Sequence, residues 1–117
     1  INVEMKASTI AELYTAITGI EIDKFELLRR AERTIALERA LNYERGFTRK
    51  DDRLPKRFMT EPAIGGPPKG RVVDMETALD KSYEACSFDM EKGIPTPEKF
   101  EELGMADVAE QIYSLNY

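Results

Sequence analysis

The residue types that most often do chemistry are scarce in this chain. It has no histidine and a single cysteine, Cys86, so the commonest general base, the imidazole metal ligand and every His-dependent nucleophilic triad are missing. One thiol forms no internal disulfide and cannot build a zinc or iron-sulfur site that needs several thiolates. Its expected role is that of a small buried hydrophobe. Glu98, Glu101 and Glu102 crowd one short segment and invite an acid/base or metal reading. Carboxylate bundles that hold two metals also use His, however, and acidic residues in a first helical turn already answer the helix dipole. The Gly-rich stretch from Ile64 to Gly70 would cradle phosphate only between a strand and a helix, and Pro67 and Pro68 remove amide donors from it. The most distinctive feature is the basic segment from Arg45 to Arg57, with Asp51 and Asp52 interleaved. Mixed signs at that density favour Arg–carboxylate pairing within a fold over a smooth anion-binding patch. Docking of another domain or an acidic partner is the alternative.

These groups lie in 117 residues, 42% hydrophobic and 33% charged, with a net charge of −5. A chain of this size buries roughly 65% of its unfolded surface and needs no disulfide staples. The negative field argues against nucleic acid as a partner. No apolar run approaches the roughly 20 residues of a membrane span, and no basic-then-apolar leader opens the chain. A soluble, cytoplasmic protein in a reducing setting is expected. The first residue is Ile1, not Met, as in an excised piece of a longer chain.

The elements that must position these residues read as helical throughout. Thr9 and Glu12 have the spacing of a capping box, followed by Ile10, Leu13, Tyr14 and Ile17 on one face and a Gly19 exit. Asp23 with Glu26 opens a second helix, running to about Arg45 and roughly 33 Å long. Leu27, Leu28, Ala31, Ile35 and Leu41 mark its expected core side, and Glu26 and Arg30 are placed to pair. Ala31, Ala36 and Ala40 would let neighbours approach closely. From Gly46 to Val73 lie four of the seven Gly and four of the six Pro, so regular structure is not expected. Seven cations face three carboxylates there, a stretch of net +4 in an acidic chain. A connection of this length is functional, draped over another surface, or a linker. Asp74 then caps a helix reaching Cys86, with Met75, Leu79, Tyr83 and Cys86 on one stripe. After a turn at Gly93, Thr96 with Pro97 starts another helix that Gly104 stops. Val108, Ala109, Ile112 and Tyr113 mark the last. The expectation is an all-α fold over residues 1–117: one helical domain of about five helices, with a long irregular Gly/Pro-rich connection between the second and third.

Composition and spacing name no reaction, but the order of short runs does point to a family. Glu38-Arg39-Ala40-Leu41-Asn42, then Gly46-Phe47-Thr48-Arg49-Lys50-Asp51-Asp52, then Leu54-Pro55-Lys56-Arg57 resembles the C-terminal region of tungsten-containing aldehyde:ferredoxin oxidoreductases. Leu13-Tyr14, Thr18-Gly19 and Leu27-Leu28 upstream fit the same pattern. So do Glu61-Pro62, Leu79-Asp80, Tyr83-Glu84, Gly93-Ile94-Pro95-Thr96 and Glu102-Leu103-Gly104 downstream. The resemblance implies a C-terminal helical piece of an enzyme several times longer. There, tungsten or molybdenum held by two pterin dithiolenes oxidises an aldehyde to a carboxylic acid, and electrons leave through a 4Fe-4S cluster to ferredoxin. The cluster cysteines, including an Asp-x-x-Gly-x-Cys motif placed just before Ile1, and the catalytic and iron-binding His residues of the family have no counterpart in this stretch. Cys86 stands where an Arg is expected in relatives. No catalytic, cofactor-binding or metal residue is therefore carried over, and the piece alone is expected to be inactive. Its implied role is to cover and shape the cofactor site. Arg49, Lys50, Asp51, Asp52 and Arg57 are the candidate interdomain contact. The partners implied are the remaining domains and ferredoxin, with neither nucleic acid nor membrane involved. An exposed apolar face would allow self-association. A stand-alone interaction module, docking an acidic partner through residues 45–57, is the alternative from a different class.

Overall fold

In the computed structural model, residues 5–115 are described. The chain divides into two compact units, Ile1–Glu38 and Arg39–Tyr117. Six α-helices follow in order: α1 (Ala7–Thr18), α2 (Lys24–Glu44), α3 (Lys56–Thr60), α4 (Met75–Cys86), α5 (Pro97–Glu102) and α6 (Ala106–Tyr113), with a 3₁₀ turn at Arg49–Asp51. Among the described residues there is no strand, only an isolated antiparallel bridge between Phe88 and Pro95. The all-α expectation stands, with one helix more than the approximate count.

The first unit holds α1 and most of α2. Helix α1 begins earlier than its sequence suggests. Its N-cap is Lys6, which makes no side-chain capping bond, and Thr9 lies inside the helix. Ala7 and Ser8 tolerate helix, so the capping pattern at Thr9 meets no break to act on. Gly19 ends α1 as expected, at φ +71°, its amide donating to Thr15 O at 2.9 Å. Asp23 Oδ1 accepts the Glu26 amide at 2.8 Å to start α2, and Arg30 Nε pairs with Glu26 Oε1 at 2.8 Å.

Both helices expose most of their large aliphatic residues. Ala11 is buried while Ile17 is 82% exposed, and Ile10 and Leu13 are also exposed. On α2 the expected core side is corrected: Leu28, Ala31, Ile35 and Leu41 are exposed and Leu27 is half-buried. Ala36, Ala40 and Tyr43, at i, i+4 and i+7, are buried instead. The covered line thus runs along one side of the C-terminal half of the helix, where residues at i, i+4 and i+7 fall together.

The second unit carries the core. Tyr43, Leu79, Tyr83, Ile94, Phe100, Leu103, Met105, Ala109 and Ile112 are all buried. Asp74 caps α4 by accepting the Thr77 amide at 3.2 Å, and Thr96 caps α5 by accepting from Lys99 N at 3.2 Å, with Pro97 in the first turn. Two expectations are corrected here. The stretch 46–73 is not wholly irregular, since it contains the 3₁₀ turn and α3. One-turn helices are too short to leave a periodic signal, and Pro55 supplies the fixed φ that precedes α3. Cys86 is exposed. The buried stripe of α4 ends at Tyr83 because the chain leaves the helix at Ser87 with φ +55°, and Cys86 sits on that open last turn.

Candidate functional site

The site is built on the 3₁₀ turn, which three elements of the second unit surround. Thr48 and Asp51 form a reciprocal capping box: the Thr48 side chain accepts from the turn's backbone, and Thr48 N donates to Asp51 Oδ2 at 2.8 Å. This fixes the direction in which Arg49 and Asp52 leave the backbone.

Arg49 reaches α4, where its Nη2 donates to Asp80 Oδ1 at 2.6 Å and to Glu76 Oε2 at 3.2 Å. Its Nη1 donates to Met90 O at 3.4 Å, and the guanidinium stands 5.2 Å from the centre of the Tyr83 ring. The hydrogen bond to Asp80, then that to Glu76, raises the Arg49 pKa above its ordinary value against the opposing effect of burial. Arg53 Nη2 adds a second cation to Glu76, at 3.0 Å from Oε1.

Asp52 works on the inner side of the turn. Its Oδ2 accepts from Arg39 Nη1 at 2.5 Å and from the Tyr83 hydroxyl. One carboxylate thus joins the end of α2, the 3₁₀ turn and the middle of α4. Burial first, then the hydrogen bond to Asp52, pushes the Tyr83 pKa up to about 12, so the phenol remains a proton donor across the neutral range.

Gly93 completes the arrangement. It adopts φ +74°, and a Cβ there would lie 2.7 Å from the Tyr83 hydroxyl oxygen and 3.2 Å from Arg49 N. Asp89 holds the turn by accepting from Glu91 N and Lys92 N at 2.9 and 2.8 Å. Lys92 Nζ donates to Tyr43 OH at 2.6 Å and lies 5.0 and 5.8 Å from the Tyr43 and Tyr113 rings. Tyr113 donates to Pro95 O at 3.0 Å, and its pKa is raised, chiefly by burial.

Between these parts lies a cleft of about 180 Å³, with Arg39, Asp51, Asp52 and Lys92 on its walls beside Thr48 and Gly93. Two cations and two carboxylates, with Arg39 and Asp52 already paired, form an interlocked charge network. No nucleophile faces a general base here. The chemistry such a network performs is mechanical: it locks a loop to two helices.

Of the five contact candidates, Arg49, Asp51 and Asp52 come together in this network. The side chains of Lys50 and Arg57 are exposed, with the Arg57 guanidinium 4.9 Å from the centre of the Phe58 ring. Sequence reasoning missed Glu76 and Asp80 as partners and placed Tyr83 only in the core. One signal was available: two acids at i and i+4 repel on a helix unless a cation from elsewhere answers them.

The chain offers no imidazole and one thiol, and the described residues gather no group of three or more Cys, Asp or Glu placed to hold an ion. A single thiol cannot by itself supply the several thiolates that an iron-sulfur cluster takes. No helix among the described residues is long and apolar enough to cross a membrane.

Comparison with known proteins gives the context. Residues 1–105 match the family model for aldehyde ferredoxin oxidoreductase, domains 2 and 3. The tungsten-containing aldehyde ferredoxin oxidoreductases of Pyrococcus furiosus and Thermococcus kodakarensis are each 35% identical over 102 residues. The match covers 86% of this chain and 17% of theirs. An aliphatic sulfonate oxidoreductase, WOR-like subunit, of P. furiosus is 34% identical over 112 residues, 88% of this chain and 18% of its own. Among solved structures, the active site complex BamBC of benzoyl coenzyme A reductase, bound to 1,5-dienoyl-CoA, superposes with a TM-score of 0.74 at 25% identity. That match covers 94% of this chain and 16% of that one. The chain thus spans about a sixth of the length of the relatives it matches, and by this long, collinear match it belongs to the aldehyde ferredoxin oxidoreductase family.

Proposed function

We propose that this chain is the C-terminal helical domain of a tungsten-pterin enzyme that oxidises an aldehyde to a carboxylic acid and passes the electrons through a 4Fe-4S cluster to ferredoxin. The observation that carries this is the match of residues 1–105 to the family, with 35% identity to the tungsten enzymes. When bound in the parent enzyme, the metal-pterin group supplies the two-electron chemistry. The residues of this chain supply position and exclusion of water. Arg49, Asp52, Tyr83 and Gly93 clamp the 3₁₀ turn to α2 and α4, giving the wall a fixed shape. That Arg49 and Asp52 are engaged inside the unit argues against their serving a free docking loop, and so favours this reading over the stand-alone interaction module.

The test is made on the parent protein, purified without oxygen. Aldehyde-dependent reduction of ferredoxin is the expected result, with tungsten found by elemental analysis. Turnover of alkyl sulfonates or aromatic acyl-CoA thioesters in place of aldehydes would overturn the substrate assignment. An open reading frame with no oxidoreductase sequence around this segment would overturn the whole reading.

A further inference from the structure

Residues 53–74 form an arm with an unusual combination of properties. It is ordered by its own backbone bonds: Val73 N donates to Phe58 O at 2.9 Å, Ala63 N to Arg71 O at 3.0 Å, Gly70 N to Ala63 O at 2.9 Å and Lys69 N to Gly66 O at 3.1 Å. Yet no residue between 53 and 74 is buried. Leu54, Phe58, Val72 and Val73 are exposed, and Ile64, beside the Gly65-Gly66-Pro67-Pro68 tip, is 96% exposed. A segment that is shaped in advance but covers no core of its own loses little entropy on binding and is suited to insertion elsewhere.

We infer that this arm is the element by which the domain docks into the remainder of the parent enzyme, seating Ile64 in an apolar recess with an acidic rim. The apolar tip sets the recess. The rim follows from charge: between residues 53 and 73 five cations accompany one carboxylate, and with Arg53 bridged to Glu76, Lys56, Arg57, Lys69 and Arg71 remain around the apolar residues. Acidic groups opposite them would fix register and orientation. The occupant is assigned to the parent because the match covers only 17% of the matched relatives, which are about five times the length of this chain. The arm presupposes the parent enzyme proposed above.

The experiment compares hydrogen exchange of peptides covering residues 58–73 in the intact parent and in the 117-residue chain. At least roughly tenfold slower exchange is expected in the parent, the scale of a contact worth about 1.4 kcal/mol. Ile64→Asp should return the parent's arm to the faster rate without altering α5 and α6, while Ile64→Leu keeps the protection. Ile64 is exposed, so neither change threatens the fold of this chain. Equal rates in parent and chain would overturn the inference while leaving aldehyde oxidation intact. Concentration-dependent protection in the 117-residue chain alone would name a second copy as the occupant and overturn it also. Absence of any parent oxidoreductase would remove it together with the proposed function.

Discussion

At the scale of single residues, Gly93 and Tyr83 define one another. The phenol can reach Asp52 only because position 93 has no side chain, and the turn takes φ +74° at the same place. Gly93→Ala adds left-handed strain to an overlap with the Tyr83 hydroxyl, and a loss of about 2–3 kcal/mol is expected from urea melts. Gly65→Ala is the control: nothing lies within 4 Å of its Cβ and no positive φ occurs there, so stability should hold or rise slightly. Tyr83 also gives a pH signature. Its folded pKa of about 12 exceeds the ordinary 10.0, so its contribution is complete below pH 10 and is lost as pH rises from 10 towards 12. Tyr83→Phe should remove that part of the alkaline destabilisation, read from denaturant midpoints against pH. An unchanged alkaline limb would show that the phenol is not buried against Asp52.

At the scale of elements, the caps decide where helices begin. Thr96 accepts from Lys99 N and precedes Pro97, so Thr96→Ala is expected to cost about 1 kcal/mol. Thr96→Ser should recover most of it, measured by thermal melting. Asp74 caps α4 as a carboxylate, and its pKa is lowered first by the Thr77 hydroxyl and then by the Thr77 amide. Its contribution is therefore present above the ordinary value of 3.8 and lost as pH falls through the lower folded value. Asp74→Ala should flatten that acid limb, and retention of the full slope would assign it to other carboxylates. The starts of α2, α4 and α5 were legible because an Asp or Thr stood at a real break in the pattern. The start of α1 was not, because residues before Thr9 also accept helix. Helix α3 and the 3₁₀ turn escaped notice because a single turn carries no period.

At the scale of the whole molecule, apolar surface is the dominant fact. Ile17, Phe25 and Ile64 are 82%, 68% and 96% exposed, apolar surface of the kind that marks interaction sites. Ile17→Glu together with Leu13→Glu should leave stability within about 0.5 kcal/mol in this chain and reduce binding of an apolar dye. A large loss of stability would mean that the α1 face is already covered.

Composition and local order determined much of this. Helix-compatible runs set an all-α fold, and the ordered motifs from Glu38 to Arg57 pointed to the family. What only the tertiary structure decided was which partner each charge takes and which face each helix buries. Arg49 finds Asp80 and Glu76 across 31 and 27 positions, a distance over which spacing carries no signal. The face of α2 was misjudged because hydrophobicity alone ranks Ile35 and Leu41 above Ala36 and Ala40. The fold covers the line of Ala36, Ala40 and Tyr43 instead, and which side of a helix is covered is decided by the segments that fold against it and not by its own hydrophobicity.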